Sequence, residues 1–178
     1  MRTVVIGNSG SGKSWLAKRL GERTSTQTIP LDEIFWLPGG FNKKRSPSEV
    51  QNLVDSKKVE TDWIVEGVFG DLASQFLSSA QNLIWLDFPW NVCKQRLEGR
   101  GSESNVRMGR VQSEQGSREL IQWAEGYYFR SGSCSRITHL DLFESFTGER
   151  ILLATEVQVQ DFLNVSTASF QRAEFDSR

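Results

Sequence analysis

A glycine-rich segment near the N-terminus carries the clearest chemistry in the sequence. The letters GNSGSGKS, residues 7–14, fit the pattern G-x-x-x-x-G-K-[ST], with an apolar run before them and a helical pattern after them. Glycines let successive backbone N–H groups point at one phosphate, and the start of a helix adds a partial positive charge. The segment therefore predicts a nucleotide-binding P-loop. Its predicted lining consists of Gly7, Asn8, Ser9, Gly10, Ser11, Gly12, Lys13 and Ser14.

Two residues at the end of this loop have the side chains that phosphate and metal binding require. The amine of Lys13 would reach the β- and γ-phosphates, and the hydroxyl of Ser14 would ligate Mg²⁺. ATP and Mg²⁺ are thus the expected cofactors. Switch GTPases, motor ATPases and small-molecule kinases share such a loop, so the loop alone does not decide how the nucleotide is used.

Three carboxylates follow predicted strands, where side chains of a parallel sheet reach a common edge. Asp32 could orient an acceptor hydroxyl, hold Mg²⁺ through water, or cap a turn. Glu66 ends the third strand, where a contact with an acceptor or with metal-bound water is plausible. Asp87 ends the fourth strand, and its type suits a turn cap as well as a metal ligand.

Arginines follow the fourth strand. Arg96 and Arg100 are four residues apart on a predicted helix and so share one face of it. Transfer of a phosphoryl group needs guanidinium groups over the migrating group and the exclusion of water, which an arginine-bearing lid provides. We expect such a lid at about 99–130; the alternative is a solvated charged helix, because glutamates alternate with the arginines there. Further arginines stand at positions 107, 110, 118 and 130.

Short apolar runs alternate with helical patterns along the chain, which predicts an α/β fold with a mostly parallel sheet. Strands are predicted at 3–6, 28–31, 63–65, 83–86 and 151–154. Helices are predicted at 13–20, about 48–60, 71–78, 90–97, 116–130 and 157–163.

Five segments in order resemble a known family: IGNSGSGKS, LDEIFWLPGG, WIVEGVF, NLIWLDFPWNVCKQRLEGR and RILLATEVQVQDFL. Together they resemble the adenylate-kinase-like P-loop kinases, most closely the group named DNA topology modulation protein (FlaR-like). The resemblance covers about residues 1–163. It implies a three-layer α/β sandwich, a P-loop NTPase fold whose five-stranded parallel sheet has the order 2-3-1-4-5, with an acceptor region after the second strand and an arginine lid.

The resemblance also assigns roles to individual residues. Asp32 and Trp36 would face the acceptor, Glu66 would occupy the acidic position after the third strand, and Arg96 and Arg100 would clamp phosphates from the lid.

The sequence departs from the family pattern close to the expected acceptor. Trp15 stands where a small hydroxyl residue is usual, EGVFG replaces the commoner D-G-N-Y, and Trp90 replaces a common arginine. These departures bear on acceptor identity and on turnover, whereas the nucleotide loop itself is intact.

Composition limits the function classes. The 178 residues, with a net charge of −1, suit one soluble domain at 1–164 followed by a polar tail at 165–178, and they give no support to a nucleic-acid partner. No apolar run approaches the length of a membrane span, and the spacing of Cys93 and Cys134 suits two reduced thiols. We expect a cytoplasmic protein without a membrane partner, in which His139 is structural or lies on the surface.

The sequence thus favours ATP- and Mg²⁺-dependent phosphoryl transfer to a small-molecule acceptor, with a nucleotide as one candidate. The alternative is a nucleotide-binding regulatory protein with little or no kinase activity, acting through a protein or DNA partner. A GTPase switch ranks third, because the guanine-reading motif N-K-x-D does not occur in the chain.

Overall fold

Five parallel strands form one sheet, with helices on both of its faces. The computed structural model describes residues 1–38, 43–100 and 114–175. The strands are β1 (Arg2–Gly7), β2 (Thr28–Pro30), β3 (Trp63–Gly67), β4 (Asn82–Leu86) and β5 (Glu149–Leu153). The helices are α1 (Lys13–Thr24), α2 (Leu31–Phe35), α3 (Pro47–Lys58), α4 (Gly70–Leu77), α5 (Trp90–Arg100), α6 (Glu114–Glu125), α7 (Arg136–Ser145) and α8 (Glu156–Phe175), with a 3₁₀ turn at Gly126–Tyr128.

The strand order is β2-β3-β1-β4-β5, and every neighbouring pair is parallel. This confirms the predicted fold class, a three-layer α/β sandwich with sheet order 2-3-1-4-5. The register places Glu66 opposite both Val5 and Pro30, so the ends of β1, β2 and β3 meet at one edge of the sheet. Side chains that follow these three strands therefore lie near one another.

The two faces of the sheet each pack against their own helices. Along β1, Val4 and Ile6 belong to one buried cluster, whereas Val5, between them, belongs to the other, because successive side chains of a strand point to opposite faces. The first cluster includes apolar residues of α2, α3 and α4, and the second includes those of α1, α5 and α8. Both faces of the sheet are therefore covered, as a parallel sheet requires.

The helix α3 shows how local sequence fixes an element. The Ser46 Oγ accepts a hydrogen bond from the Glu49 backbone N–H at 3.3 Å, and Glu49 Oε2 accepts one from the Ser46 N–H at 2.9 Å. Pro47 occupies the first helical position, where its missing N–H costs nothing. These three residues start the helix after the loop that follows β2.

The structure adds elements that the patterns do not predict. The short helix α2 begins at Leu31, which the sequence places in the second strand, and α7 lies in a stretch without a predicted element. The last helix continues to Phe175, through most of the predicted polar tail. Of the predicted lid, residues 101–113 lie outside the described residues, whereas α6 and the 3₁₀ turn form its return to the sheet.

No helix in the described ranges is long and apolar enough to cross a membrane.

The packing of α4 on the sheet generates a stability prediction. Phe76 is fully buried, and its ring meets that of Trp63 edge to face at 5.4 Å between centroids. Phe76→Ala should lower the free energy of unfolding by about 3–5 kcal/mol in a urea titration, because it leaves a cavity beside the sheet. Phe129→Ala is the matched control, since that ring is 85% exposed and should change stability by less than about 0.5 kcal/mol. Equal losses for the two variants would contradict this core assignment.

Candidate functional site

The P-loop follows β1 directly and leads into α1, as the sequence predicts. Gly10 and Gly12 have φ angles of +79° and +99°, a region that other residues rarely adopt. A Cβ at Gly10 would lie 2.4 Å from the carbonyl oxygen of Cys93 on α5. Glycine at position 10 is therefore required both by the backbone conformation and by the close approach of α5.

The lysine of the loop is folded back over it. Lys13 Nζ donates a hydrogen bond to the Asn8 carbonyl at 2.8 Å, and its side chain is nearly buried. The Ser11 hydroxyl is buried and has no hydrogen-bond partner within the described residues. An ammonium group and a spare hydroxyl in a glycine loop fit the oxygens of a bound phosphate.

Asn8 connects the loop to the return of the predicted lid. Its Nδ2 donates to the carbonyl of Ala124 in α6 at 2.9 Å, and its Oδ1 accepts from the Ser9 backbone N–H at 2.8 Å. Asn8 and Ala124 are both buried. The side chain of Asn8 therefore fixes the loop against α6, a role that the sequence pattern does not indicate.

Ser14 and Glu66 meet at the sheet edge beside the loop. The Ser14 hydroxyl donates to Glu66 Oε1 at 2.8 Å, and the Glu66 side chain is buried. Hydroxyl and carboxylate oxygens are the ligands that Mg²⁺ prefers, and this ion commonly keeps several waters. The described residues contain no group of three or more His, Cys, Asp or Glu that could hold a metal ion. The pair therefore fits an Mg²⁺ ion that takes most of its ligands from phosphates and water.

Asp32 lies in the first turn of α2, next to this pair. The pKa of its carboxyl is raised to about 6, chiefly by burial and next by the nearby Glu66, while the Lys13 ammonium acts in the opposite direction. A carboxylate with such a pKa is mostly ionised at neutral pH and can still accept a proton, as the orientation of an acceptor hydroxyl demands.

A cavity opens beside the Ser14–Glu66 pair, between α1 and the edge strand β2. Its volume is about 330 Å³. Its wall contains one basic side chain, Lys18, and two acidic ones, Glu33 and Glu66. The full lining is Ser14, Ala17, Lys18, Thr28, Pro30, Glu33 and Glu66.

Trp36 stands at the end of α2 in an aromatic group. Its ring meets Phe35 edge to face at 4.8 Å, and Phe35 stacks on Phe69 at 4.6 Å between ring centroids. Its backbone forms an antiparallel bridge with Lys44, whose Nζ lies 5.9 Å from the Trp36 ring. The predicted acceptor contact of Trp36 stays a prediction.

Arg96 approaches the P-loop from its carbonyl side. Its guanidinium donates to the Ser11 carbonyl at 2.7 Å and to Glu156 Oε1 at 3.0 Å, and it lies 4.4 Å above the Phe88 ring. In this arrangement Arg96 supports the loop that would hold the phosphates. The predicted clamp over the phosphates stays a prediction for Arg96.

The remaining arginines of the predicted lid fall into two groups. The side chain of Arg100, the last residue of α5, lies outside the described part of the chain, as do Arg107 and Arg110. Arg118 is exposed on α6. Arg130 donates to the backbone carbonyls of Trp123 and Cys134, both at 2.7 Å, and so fixes the turn after α6.

Asp87 has a partner that neither sequence interpretation includes. Arg136, at the start of α7, donates to Asp87 Oδ1 at 2.9 Å and also contacts Oδ2. The carboxylate thus ties α7 to the end of β4. The two residues lie 49 positions apart, so no local pattern could have paired them.

Comparison with known proteins supports the fold. No protein-family model matches the sequence, and no curated protein matches it. The structure is similar to a gluconokinase from Sinorhizobium meliloti 1021, with 15% identity, 99% of this chain and 97% of that chain covered, and a TM-score of 0.54. It is also similar to a shikimate kinase from Acinetobacter baumannii in complex with shikimate (13% identity, coverage 97% and 94%, TM-score 0.52) and to one from Bacteroides thetaiotaomicron (15%, 96% and 98%, 0.51).

These likenesses extend over almost the whole of each chain. At such identities they show the fold alone. The chain has the P-loop kinase fold. The narrower resemblance to the topology modulation group stays a prediction.

The close contact at Gly10 predicts the effect of adding one methyl group. Gly10→Ala should lower the affinity for ATP at least tenfold, because the new Cβ meets the Cys93 carbonyl and the whole loop must shift. Gly132→Ala is the control: its φ is +92°, but nothing lies within 4 Å of its Cβ. That variant should lose only about 1–2 kcal/mol of stability from backbone strain and bind ATP normally. Calorimetric titration of both variants would check this, and equal ATP affinities would contradict it.

The environment of Asp32 predicts a pH-dependent gain in stability for Asp32→Asn. A carboxyl whose pKa rises from 3.8 to about 6 on folding contributes stability below pH 3.8 that is lost as the pH rises through 6. The variant should therefore match the wild type near pH 4 and be more stable by on the order of 2–3 kcal/mol near pH 7.5. Urea titrations at both pH values would measure this difference. Asp161→Asn, an exposed site on α8, is the control, and a pH-independent difference for Asp32→Asn would refute the burial argument.

Proposed function

We propose that the chain is an ATP- and Mg²⁺-dependent kinase that transfers the γ-phosphoryl group to a hydroxyl of a small-molecule acceptor. One observation carries this proposal. The loop lysine Lys13, the Ser14–Glu66 hydrogen bond and the half-buried Asp32 lie together where β1, β2 and β3 end. A phosphate site, a cation site and a proton-accepting carboxylate are the three parts that phosphoryl transfer requires.

Each part has its own task in the proposed reaction. Lys13 and the loop amides hold the phosphate oxygens, and Ser14 and Glu66 would hold Mg²⁺ directly or through water. When bound, Mg²⁺ neutralises charge on the phosphates. Asp32 orients the acceptor hydroxyl and takes its proton as the acceptor oxygen bonds to the γ-phosphorus and ADP leaves.

The acceptor belongs to the class of small hydroxylated molecules in this proposal. This choice of acceptor class is supported by the fold, which the chain shares with a gluconokinase and with a shikimate kinase in complex with shikimate. A nucleotide acceptor is a second possibility within the same class, since Trp36 lies close to the loop after β2 and offers a ring for stacking. Supply of ATP and two free cysteines fit the cytoplasm, where we place the reaction.

Conversion of ATP to ADP, measured with and without candidate acceptors, tests the proposal. The panel contains nucleoside monophosphates, sugars and hydroxy acids, each with Mg²⁺ present. Turnover stimulated by one class supports the kinase and identifies its acceptor. Tight ATP binding without stimulation by any of them favours the regulatory alternative, which the departures at Trp15, Trp90 and residues 67–69 motivate.

Removal of the loop charge gives a direct prediction for this proposal. Lys13→Met keeps the length of the side chain but removes the ammonium group, so acceptor-stimulated turnover should fall by about 100-fold or more. Lys57→Ala, on α3 and away from the loop, should leave turnover unchanged. A steady-state assay of both variants decides the matter, and wild-type rates for Lys13→Met would refute the assignment.

A further inference from the structure

A chain of buried hydrogen bonds crosses the protein behind the candidate site. Trp85 Nε1 on β4 donates to the Tyr127 hydroxyl at 3.3 Å, and that hydroxyl lies 2.8 Å from His139 Nδ1. His139 Nε2 lies 3.0 Å from the carbonyl oxygen of Val68. His139 is fully buried in α7, so the sequence-based option of a surface histidine is wrong. None of these contacts belongs to the proposed reaction itself.

The partners fix the direction of every bond in the chain. A carbonyl oxygen only accepts, so His139 Nε2 carries the proton that binds Val68, and Nδ1 accepts the hydroxyl proton of Tyr127. Tyr127 in turn accepts from Trp85. Burial lowers the pKa of His139 to about 3, which keeps the ring neutral and this arrangement intact at neutral pH.

This series of hydrogen bonds ends at Val68, two residues after Glu66. The turn that follows β3 is held at a second point, because the Gly70 backbone N–H donates to the Ser133 carbonyl at 2.7 Å. The backbone just before these points has little room, as a Cβ at Gly67 would lie 2.7 Å from Leu31 Cβ. The segment from Tyr127 to His139 thus fixes the turn after β3 on one side, and Leu31 at the start of α2 limits the backbone before the turn on the other.

We propose that His139 is a positioning residue that places Glu66 against Ser14. It acts through the carbonyl of Val68: with that bond the turn after β3 has one position, and the Glu66 carboxylate reaches the Ser14 hydroxyl. Without it, the Val68 carbonyl is buried without a donor, which the turn can relieve only by moving. This inference rests on the proposed function, in which Ser14 and Glu66 support the Mg²⁺ of bound ATP.

Two substitutions separate this role from simple core packing. In His139→Gln the amide nitrogen lies as far along the side chain as Nε2 and can still donate to Val68. In His139→Asn the amide lies at the level of Nδ1, so it meets Tyr127 and leaves Val68 without a donor. Both variants lose the ring, so both should lose stability to a similar degree.

Two measurements are made on each variant. Hydrogen exchange reports on the backbone amides of residues 67–70, without any ligand. Calorimetry gives the affinity for ATP with Mg²⁺ and with a chelator, and the ratio of the two is the gain due to Mg²⁺. Glu66→Gln, measured alongside, sets the size of the loss when the carboxylate itself is removed.

The expected result is a contrast between the two variants. His139→Asn should exchange these amides faster and lose about tenfold of the gain due to Mg²⁺, as removal of a group behind a metal ligand typically does. His139→Gln should retain both properties. Equal exchange and equal gains in the two variants would overturn the positioning role. If exchange differs as expected but wild-type ATP affinity does not respond to Mg²⁺, the positioning of the turn holds and the proposed function fails.

Discussion

A loop that presents its amide groups to a phosphate must turn its carbonyl groups away, and each of those carbonyls needs a donor from the protein. Here donors are present for the carbonyls of four loop residues. The Asn8 carbonyl accepts from Lys13, the Gly10 and Ser11 carbonyls accept from Arg96, and the Gly12 carbonyl accepts from the Leu16 N–H. The conformation of the P-loop therefore depends on groups outside it, above all on the guanidinium of Arg96. That guanidinium is in turn held by Glu156, at the start of α8.

Two carboxylates at the same edge of the sheet have different surroundings. Glu66 has a fixed hydroxyl partner in Ser14, whereas Asp32 is held in a poorly solvated place close to Glu66 and Lys13. Lys13 favours the ionised form of Asp32, and a bound phosphate would draw on the same ammonium group. Occupation of the loop should therefore make Asp32 a stronger base than it is in the empty site. A phosphate bound in the loop and the Asp32 carboxyl would thus be coupled through one lysine.

Local patterns were sufficient for the parts of the protein that are built locally. The P-loop is eight consecutive residues, and the alternation of strands and helices follows from short apolar runs, so both could be predicted from the sequence. The strand order came from the family resemblance and not from any pattern in the residues. The contacts that complete the site could not be predicted, because Arg96 with Glu156 and Asp87 with Arg136 join residues 60 and 49 positions apart.

The helix α7 shows why one element was missed. Its sequence, RITHLDLFES, places a histidine at its most buried position and leaves Ile137 exposed, so the apolar residues do not form a helical stripe. The polar residue is accommodated because Tyr127 and Val68 satisfy both ring nitrogens. Because this arrangement depends on three separate elements, a local sequence pattern cannot predict it.

The segment from Ala124 to His139 is in this way the common support of the site. It meets the P-loop through Asn8, the end of β4 through the Tyr128 hydroxyl on the Phe88 carbonyl, and the turn after β3 through His139. One short stretch of chain thus holds three loops whose distances would have to stay fixed in the proposed phosphoryl transfer. The bonds to Phe88 and Val68 are made to backbone carbonyls, so they fix these two loops without using loop side chains, whereas the bond to the P-loop uses the side chain of Asn8. Under the proposed function, the residues that contact an acceptor could therefore differ from those of the structurally similar kinases while the geometry around the phosphates is retained.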